Sequence, residues 1–171
     1  IHNDKKETLD LGHPDGPDEL QYYPQIEQFQ TFFGKFYADM FKIHQRVLQS
    51  IEKGLGLEAG FIIDKCAKQF FNETIRLLYY PDVSLQTVKA TGRVRAGAHS
   101  DYGTITLLIQ KPGFGQNGLR ALNSKKQWVK VEPPDYSIVV NLGDLFQHWT
   151  NDTLISTIHK VEVDDDILRM A

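Results

Sequence analysis

Sulfur and long apolar runs are what this chain has least of. A single cysteine, Cys66, in 171 residues excludes an internal disulfide framework and suits a reducing compartment. It reads as a small buried hydrophobe on a helix rather than a reactive thiol. No apolar run is long enough to span a membrane, and no signal-like apolar segment stands at the start. The net charge is only −3 and no basic patch stands out, which argues against nucleic acid as the main partner. There is no internal repeat and no low-complexity segment. What remains is ordinary globular composition, 41% hydrophobic and 24% charged, in a chain long enough for one domain with a sizeable core. The expectation is a monomeric, cytoplasmic single domain over residues 1–171. It is expected to be incomplete at both ends, because it begins at Ile1 without Met and stops at Ala171 just inside what reads as a strand.

Hydrophobic periodicity divides the chain into a helical part at about 20–70 and a β-rich part at about 73–171. Residues 1–18 are polar and read as coil, with His2 and His13 as solvated loop residues. Ile26, Phe29, Phe33, Phe36, Met40, Ile43, Val47, Leu48 and Ile51 then recur at three- and four-residue steps, the period of an amphipathic helix. The stripe is core packing, with His44 on its flank and Gly54 as the stop. A second helix is expected at 58–69. Strands are expected at 74–80, 92–98, 104–110, 119–122, 127–131, 137–141, 145–148 and 155–163. Helices followed by many short strands argue an α+β chain with a double-sheet jelly-roll core and long N-terminal helices packed on one sheet.

Three side chains carry chemistry. His99 and Asp101 stand two apart at the start of a β-branched run, between Gly97 and Gly103. In extended backbone, residues i and i+2 share a face, so an imidazole and a carboxylate reach one point. His159 lies late in the chain in another β-rich run. Two histidines and one carboxylate make the facial triad that holds non-haem Fe(II) with positions left open. By itself His-x-Asp is a weak signal, equally at home at a solvated strand end.

The surrounding words are more specific. Gly97-Ala98-His99-Ser100-Asp101-Tyr102-Gly103-Thr104-Ile105-Thr106-Leu107-Leu108 is followed by Trp128-Val129-Lys130-Val131 with Pro133-Pro134. Then come Val139-Val140-Asn141-Leu142-Gly143-Asp144-Leu145-Phe146-Gln147-His148-Trp149-Thr150-Asn151 and Ser156-Thr157-Ile158-His159-Lys160-Val161. In this order they resemble the 2-oxoglutarate- and Fe(II)-dependent dioxygenases, in the isopenicillin N synthase-like branch, from about Arg76 to His159.

The resemblance implies metal ligation and catalysis by His99, Asp101 and His159. It implies Fe(II) as cofactor, 2-oxoglutarate as co-substrate, ascorbate as a stimulant, and O₂ with a small molecule as substrates. Tyr80, in Leu77-Leu78-Tyr79-Tyr80-Pro81, resembles the tyrosine that donates toward 2-oxoglutarate, although Leu78 stands where the family often has Asn. Arg169 corresponds to the arginine of an Arg-x-Ser motif that holds the far carboxylate, with Ala171 in place of Ser. Asn141 and Asp144 are expected to build a turn, Trp149 to sit in the core, His148 not to be a ligand, and Phe114 is a candidate to face the substrate. Two other readings stay open: an Fe(II)/O₂ oxidase of this fold that does without 2-oxoglutarate, and a non-catalytic jelly-roll binding module. A zinc hydrolase ranks below both.

Overall fold

The computed structural model describes residues 6–16, 22–67, 73–81, 94–110 and 118–163. These form two compact units, Thr8–Leu78 on one side and Ile1–Glu7 with Tyr79–Ala171 on the other. Among the described residues no helix is long and apolar enough to cross a membrane.

In the first unit, strands β1 (Glu7–Leu11) and β2 (Ile75–Tyr79) pair as a two-stranded ribbon. The expected N-terminal coil is therefore partly a strand, and its alternation gives the reason. Leu9 and Leu11 turn to one side, where Leu11 is completely buried. Asp10 turns to the other and receives two hydrogen bonds from the Arg76 guanidinium, at 2.6 and 2.7 Å. The long helix α1 (Phe29–Gly54) sets Phe33 and Tyr37 against Leu11, with Phe29, Phe41 and Ile75 around them. Each such side chain taken out of water contributes about 1.5–3 kcal/mol. His13, expected in solvent, is half-buried with its ring edge against Tyr37 at 4.9 Å between centroids.

The helix runs through Gly54, so its C′ glycine is Gly56, two residues later than expected. Leu55 caps it, and Gly56 takes the left-handed conformation at φ 69°. The Gly56 N–H bonds to the Lys53 carbonyl at 3.2 Å and the Leu57 N–H to the Glu52 carbonyl at 2.9 Å, the paired bonds of a Schellman cap. Helix α2 (Phe61–Ala67) follows. Its N-terminus is held by Glu52 of α1, whose carboxylate accepts from the backbone N–H groups of Gly60, Ile62 and Ile63 at 2.9, 2.7 and 3.2 Å.

The second unit is antiparallel β. Strands β3 (Val94–His99), β5 (Leu119–Leu122), β6 (Trp128–Lys130) and β8 (His159–Glu162) make a sheet in the order β3-β8-β5-β6. Strands β4 (Ile105–Ile109) and β7 (Ile138–Leu142) make another. Ala96, Leu119, Phe146 and Val163 are its buried apolar residues among those described. Gly118 lets β5 approach β8: a Cβ there would overlap the Glu162 carbonyl, and the residue's φ of 61° also favours glycine.

One expected strand, 145–148, is instead helix α3 (Asp144–Trp149). Phe146 is fully buried in it, whereas Trp149, expected in the core, is 40% exposed. The helix forms because its first N–H groups find acceptors in the loop after β3. Asp144 N–H bonds to the Asp101 carbonyl at 2.7 Å and Leu145 N–H to the Gly103 carbonyl at 3.2 Å, so the donors that a helix start leaves open are satisfied.

Candidate metal centre

Strand pairing brings the two histidines together. β3 and β8 run antiparallel with His99 directly opposite His159, and β8 also pairs with β5, placing Ala121 on the other side of His159. The imidazole centroids lie 4.3 Å apart. β3 ends at His99, so Asp101 belongs to the loop that follows rather than to a continuing strand. It converges all the same: Asp101 Oδ1 is 3.9 Å from His99 Nε2 and 3.7 Å from His159 Nε2. One ligand atom from each of the three lies within 4.8 Å of the others. Two metal bonds of about 2.0–2.2 Å span roughly 4 Å, so both Asp–His separations suit a single shared ion.

Each ring is held by its own strand. His99 Nδ1 lies 2.7 Å from the Gly97 carbonyl and His159 Nδ1 3.0 Å from the Thr157 carbonyl, both two residues back. A carbonyl only accepts, so Nδ1 carries the proton in both rings and Nε2 presents its lone pair toward Asp101. The carboxylate is divided similarly. Asn141 on β7 donates its side-chain N–H to Asp101 Oδ2 at 2.6 Å, leaving Oδ1 to face the imidazoles. Ser100 donates to the Asp144 carboxylate at 3.0 Å, tying the loop to α3 a second time. Gly143 permits this close approach, since a Cβ there would collide with the Gly103 carbonyl and come within 3.0 Å of the Asp101 carbonyl oxygen. The trio is open on one side: the side chains of His99, Asp101 and His159 are 45%, 22% and 17% exposed.

The other expected site residues fall differently. Tyr80 is half-buried just beyond β2, with the Arg95 guanidinium over its ring. Arg169 and Phe114 lie outside the described residues. His148 is exposed and is not part of the trio. Asn141, expected to shape a turn, braces the carboxylate instead. Sequence reasoning missed it because its role depends on the pairing of β4 with β7, which sets Asn141 opposite Thr106.

These elements together present the donor set of a mononuclear metal centre on antiparallel sheets. The 2OG-Fe(II) oxygenase superfamily model matches residues 71–171, and the chain belongs to that superfamily. It is 32% identical over 164 residues to the 2-oxoglutarate-dependent dioxygenase htyE of Aspergillus rugulosus, covering 94% of this chain and 48% of that one. It is 34% identical over 168 residues to the proline hydroxylase buaE of Petromyces alliaceus, covering 92% and 50%. The fold matches a full-length Neurospora crassa protein crystallised with alpha-KG (2-oxoglutarate) and thymine, at a TM-score of 0.85 and 32% identity, over 96% of this chain and 50% of that one. The chain thus spans about half the length of the curated relatives it matches.

Proposed function

We propose that this chain carries the metal centre of a non-haem Fe(II)- and 2-oxoglutarate-dependent oxygenase that hydroxylates or desaturates a small organic molecule. The observation that carries the proposal is the convergence of His99 Nε2, Asp101 Oδ1 and His159 Nε2, each preset by a hydrogen bond at the other nitrogen of the ring or the other oxygen of the carboxylate. A donor set of two neutral imidazoles and one carboxylate suits ferrous iron with open positions. When bound, iron with 2-oxoglutarate and O₂ supplies the oxidising power: one oxygen atom goes to the keto acid, giving succinate and CO₂, and the other oxidises the substrate C–H bond. The protein contributes the fixed ligands, a polar tie on the carboxylate and an open face for ligands.

In this reading residues 1–171 form one oxygenase domain. Its two antiparallel sheets belong to a double-stranded β-helix, and it works as a cytoplasmic monomer. The relatives' substrates, a proline in one and thymine bound in another, support a small polar substrate here. Tyr80 donates toward 2-oxoglutarate and Arg169 holds its far carboxylate, since a dianion taken into a protein interior needs charge compensation at both ends. The oxidase reading without 2-oxoglutarate keeps one observation in its favour: Ala171 stands where the family motif has a hydroxyl.

The test is succinate formation from 2-oxoglutarate by the full-length protein with Fe(II), O₂ and ascorbate. Metal-dependent succinate is expected even without primary substrate, at a slow uncoupled rate. Tight Fe(II) binding with no affinity for 2-oxoglutarate would instead establish the oxidase.

A further inference from the structure

We infer that Gln147 is a positioning residue for the metal centre, setting the carbonyl that orients the His159 ring. The segment that delivers His159 to β8, residues 153–158, forms neither strand nor helix, so no ladder of its own fixes it. Gln147 on α3 supplies the fixing instead. Its side-chain oxygen accepts from the Ser156 N–H at 2.7 Å, and its side-chain nitrogen donates to Asp152 Oδ1 at 2.8 Å. An N–H only donates and an ionised carboxylate only accepts, so the two bonds leave the amide a single orientation. On the far side of Thr157, the Ile158 carbonyl accepts from the Leu122 N–H of β5 at 2.8 Å. Thr157 therefore lies between two anchored neighbours, and its carbonyl is the one 3.0 Å from His159 Nδ1.

The first turn of the same helix holds the other half of the site. The N–H groups of Asp144 and Leu145 bond to the carbonyls of Asp101 and Gly103, and the Asp144 carboxylate accepts from the Ser100 hydroxyl at 3.0 Å. Six residues of helix thus join the loop that carries Asp101 to the segment that delivers His159. Ligands of a metal site work when held within about 0.5 Å of their productive geometry. The 3.7 Å between Asp101 Oδ1 and His159 Nε2 leaves little slack around a shared ion, so a drift of the Thr157 carbonyl reaches the metal through the imidazole. The Ser156 hydroxyl is buried without a hydrogen-bond partner, and the tether to Gln147 runs through the backbone N–H. The inference rests on the metal-centre reading of His99, Asp101 and His159.

The test uses two readouts on the full-length protein: Co(II) affinity under anaerobic conditions, and the nitrogen NMR shifts of the imidazole rings in metal-free protein, which report the tautomer. Gln147→Met removes the acceptor for Ser156. It is expected to weaken Co(II) binding about ten-fold or more and to let His159 populate its other tautomer, while the His99 ring keeps its own. Gln147→Glu keeps an oxygen for the Ser156 N–H and gives up the donation to Asp152; it is expected to stay close to the unmodified protein in both readouts. Should the methionine variant fail to fold, Gln147→Asn, one methylene short of Ser156, reads the same loss. Equal defects in the glutamate and methionine variants would overturn the inference and leave Gln147 as a staple of the turn at Asp152. So would an unshifted His159 ring with unchanged Co(II) affinity once the acceptor is removed. No Co(II) binding by the unmodified protein would remove the metal centre and this inference with it. Adding 2-oxoglutarate to the Co(II)-loaded protein tests the oxygenase reading separately: if the keto acid does not bind but the Gln147 effects are present, the positioning role stands on a metal centre of different chemistry.

Discussion

At Asp101 the two carboxylate oxygens have different partners, and this asymmetry makes a prediction. Asn141 occupies Oδ2, so Oδ1 is oriented without help from any ion. Asn141→Ala should weaken metal affinity about 10–100-fold while leaving the fold intact, as read by Mn(II) or Fe(II) titration beside far-UV circular dichroism. Asp101→Ala removes the anionic member of the trio and should abolish both detectable metal binding and turnover; a variant that still binds iron and turns over would contradict the assignment. The contrast between these residues shows what the sequence reveals. His99, Asp101 and His159 are legible because their chemistry is written in side-chain type and local spacing. Asn141 acts through a strand pairing forty residues from its partner Asp101, and nothing in its own neighbourhood distinguishes a brace from a turn former.

Among the elements, α1 was legible because 26 residues carry several turns of a repeating stripe. Helix α3 was not, because six residues with Leu145 and Phe146 at their centre fit a short strand equally well. What decides it is an acceptor supply on another segment, the carbonyls of Asp101, Tyr102 and Gly103. The junction of α1 and α2 holds a testable electrostatic device. Burial alone would raise the Glu52 carboxyl, but the backbone N–H groups of Gly60, Ile63 and Ile62 outweigh it and hold the group below its ordinary 4.5. A depressed carboxyl stabilises the fold above the unfolded-state value and loses that contribution as pH falls through the folded-state value. Glu52→Gln should therefore lower stability by about 1–3 kcal/mol near neutral pH. The gap from the unmodified protein should narrow below about pH 4.5, as measured by urea denaturation at a series of pH values. A gap that widens on acidification would rule this out.

For the molecule as a whole, the ligands all fall in one of the two compact units, so metal stabilisation is expected to be uneven. A ligand present at 100 times its dissociation constant adds about 2.7 kcal/mol to whatever must open to release it. Hydrogen exchange on the full-length protein should show Mn(II) slowing amides in β3, β8 and the loop at 100–104, with little change in the centre of α1. Uniform slowing in α1 and β8 would mean that the two units open together.

The pairing of His99 with His159 also makes the ion a proof-reader of assembly. Side chains alternate along β8, so a slip of one residue against β3 and β5 would turn His159 to the opposite face and leave His99 and Asp101 as an incomplete chelate. Mis-registered chains would thus look compact to a probe of secondary structure and yet fail to capture metal. Because an ion that binds only the correct alignment pulls the population toward it, the availability of metal during synthesis bears on the yield of correctly threaded protein as well as on its activity afterwards.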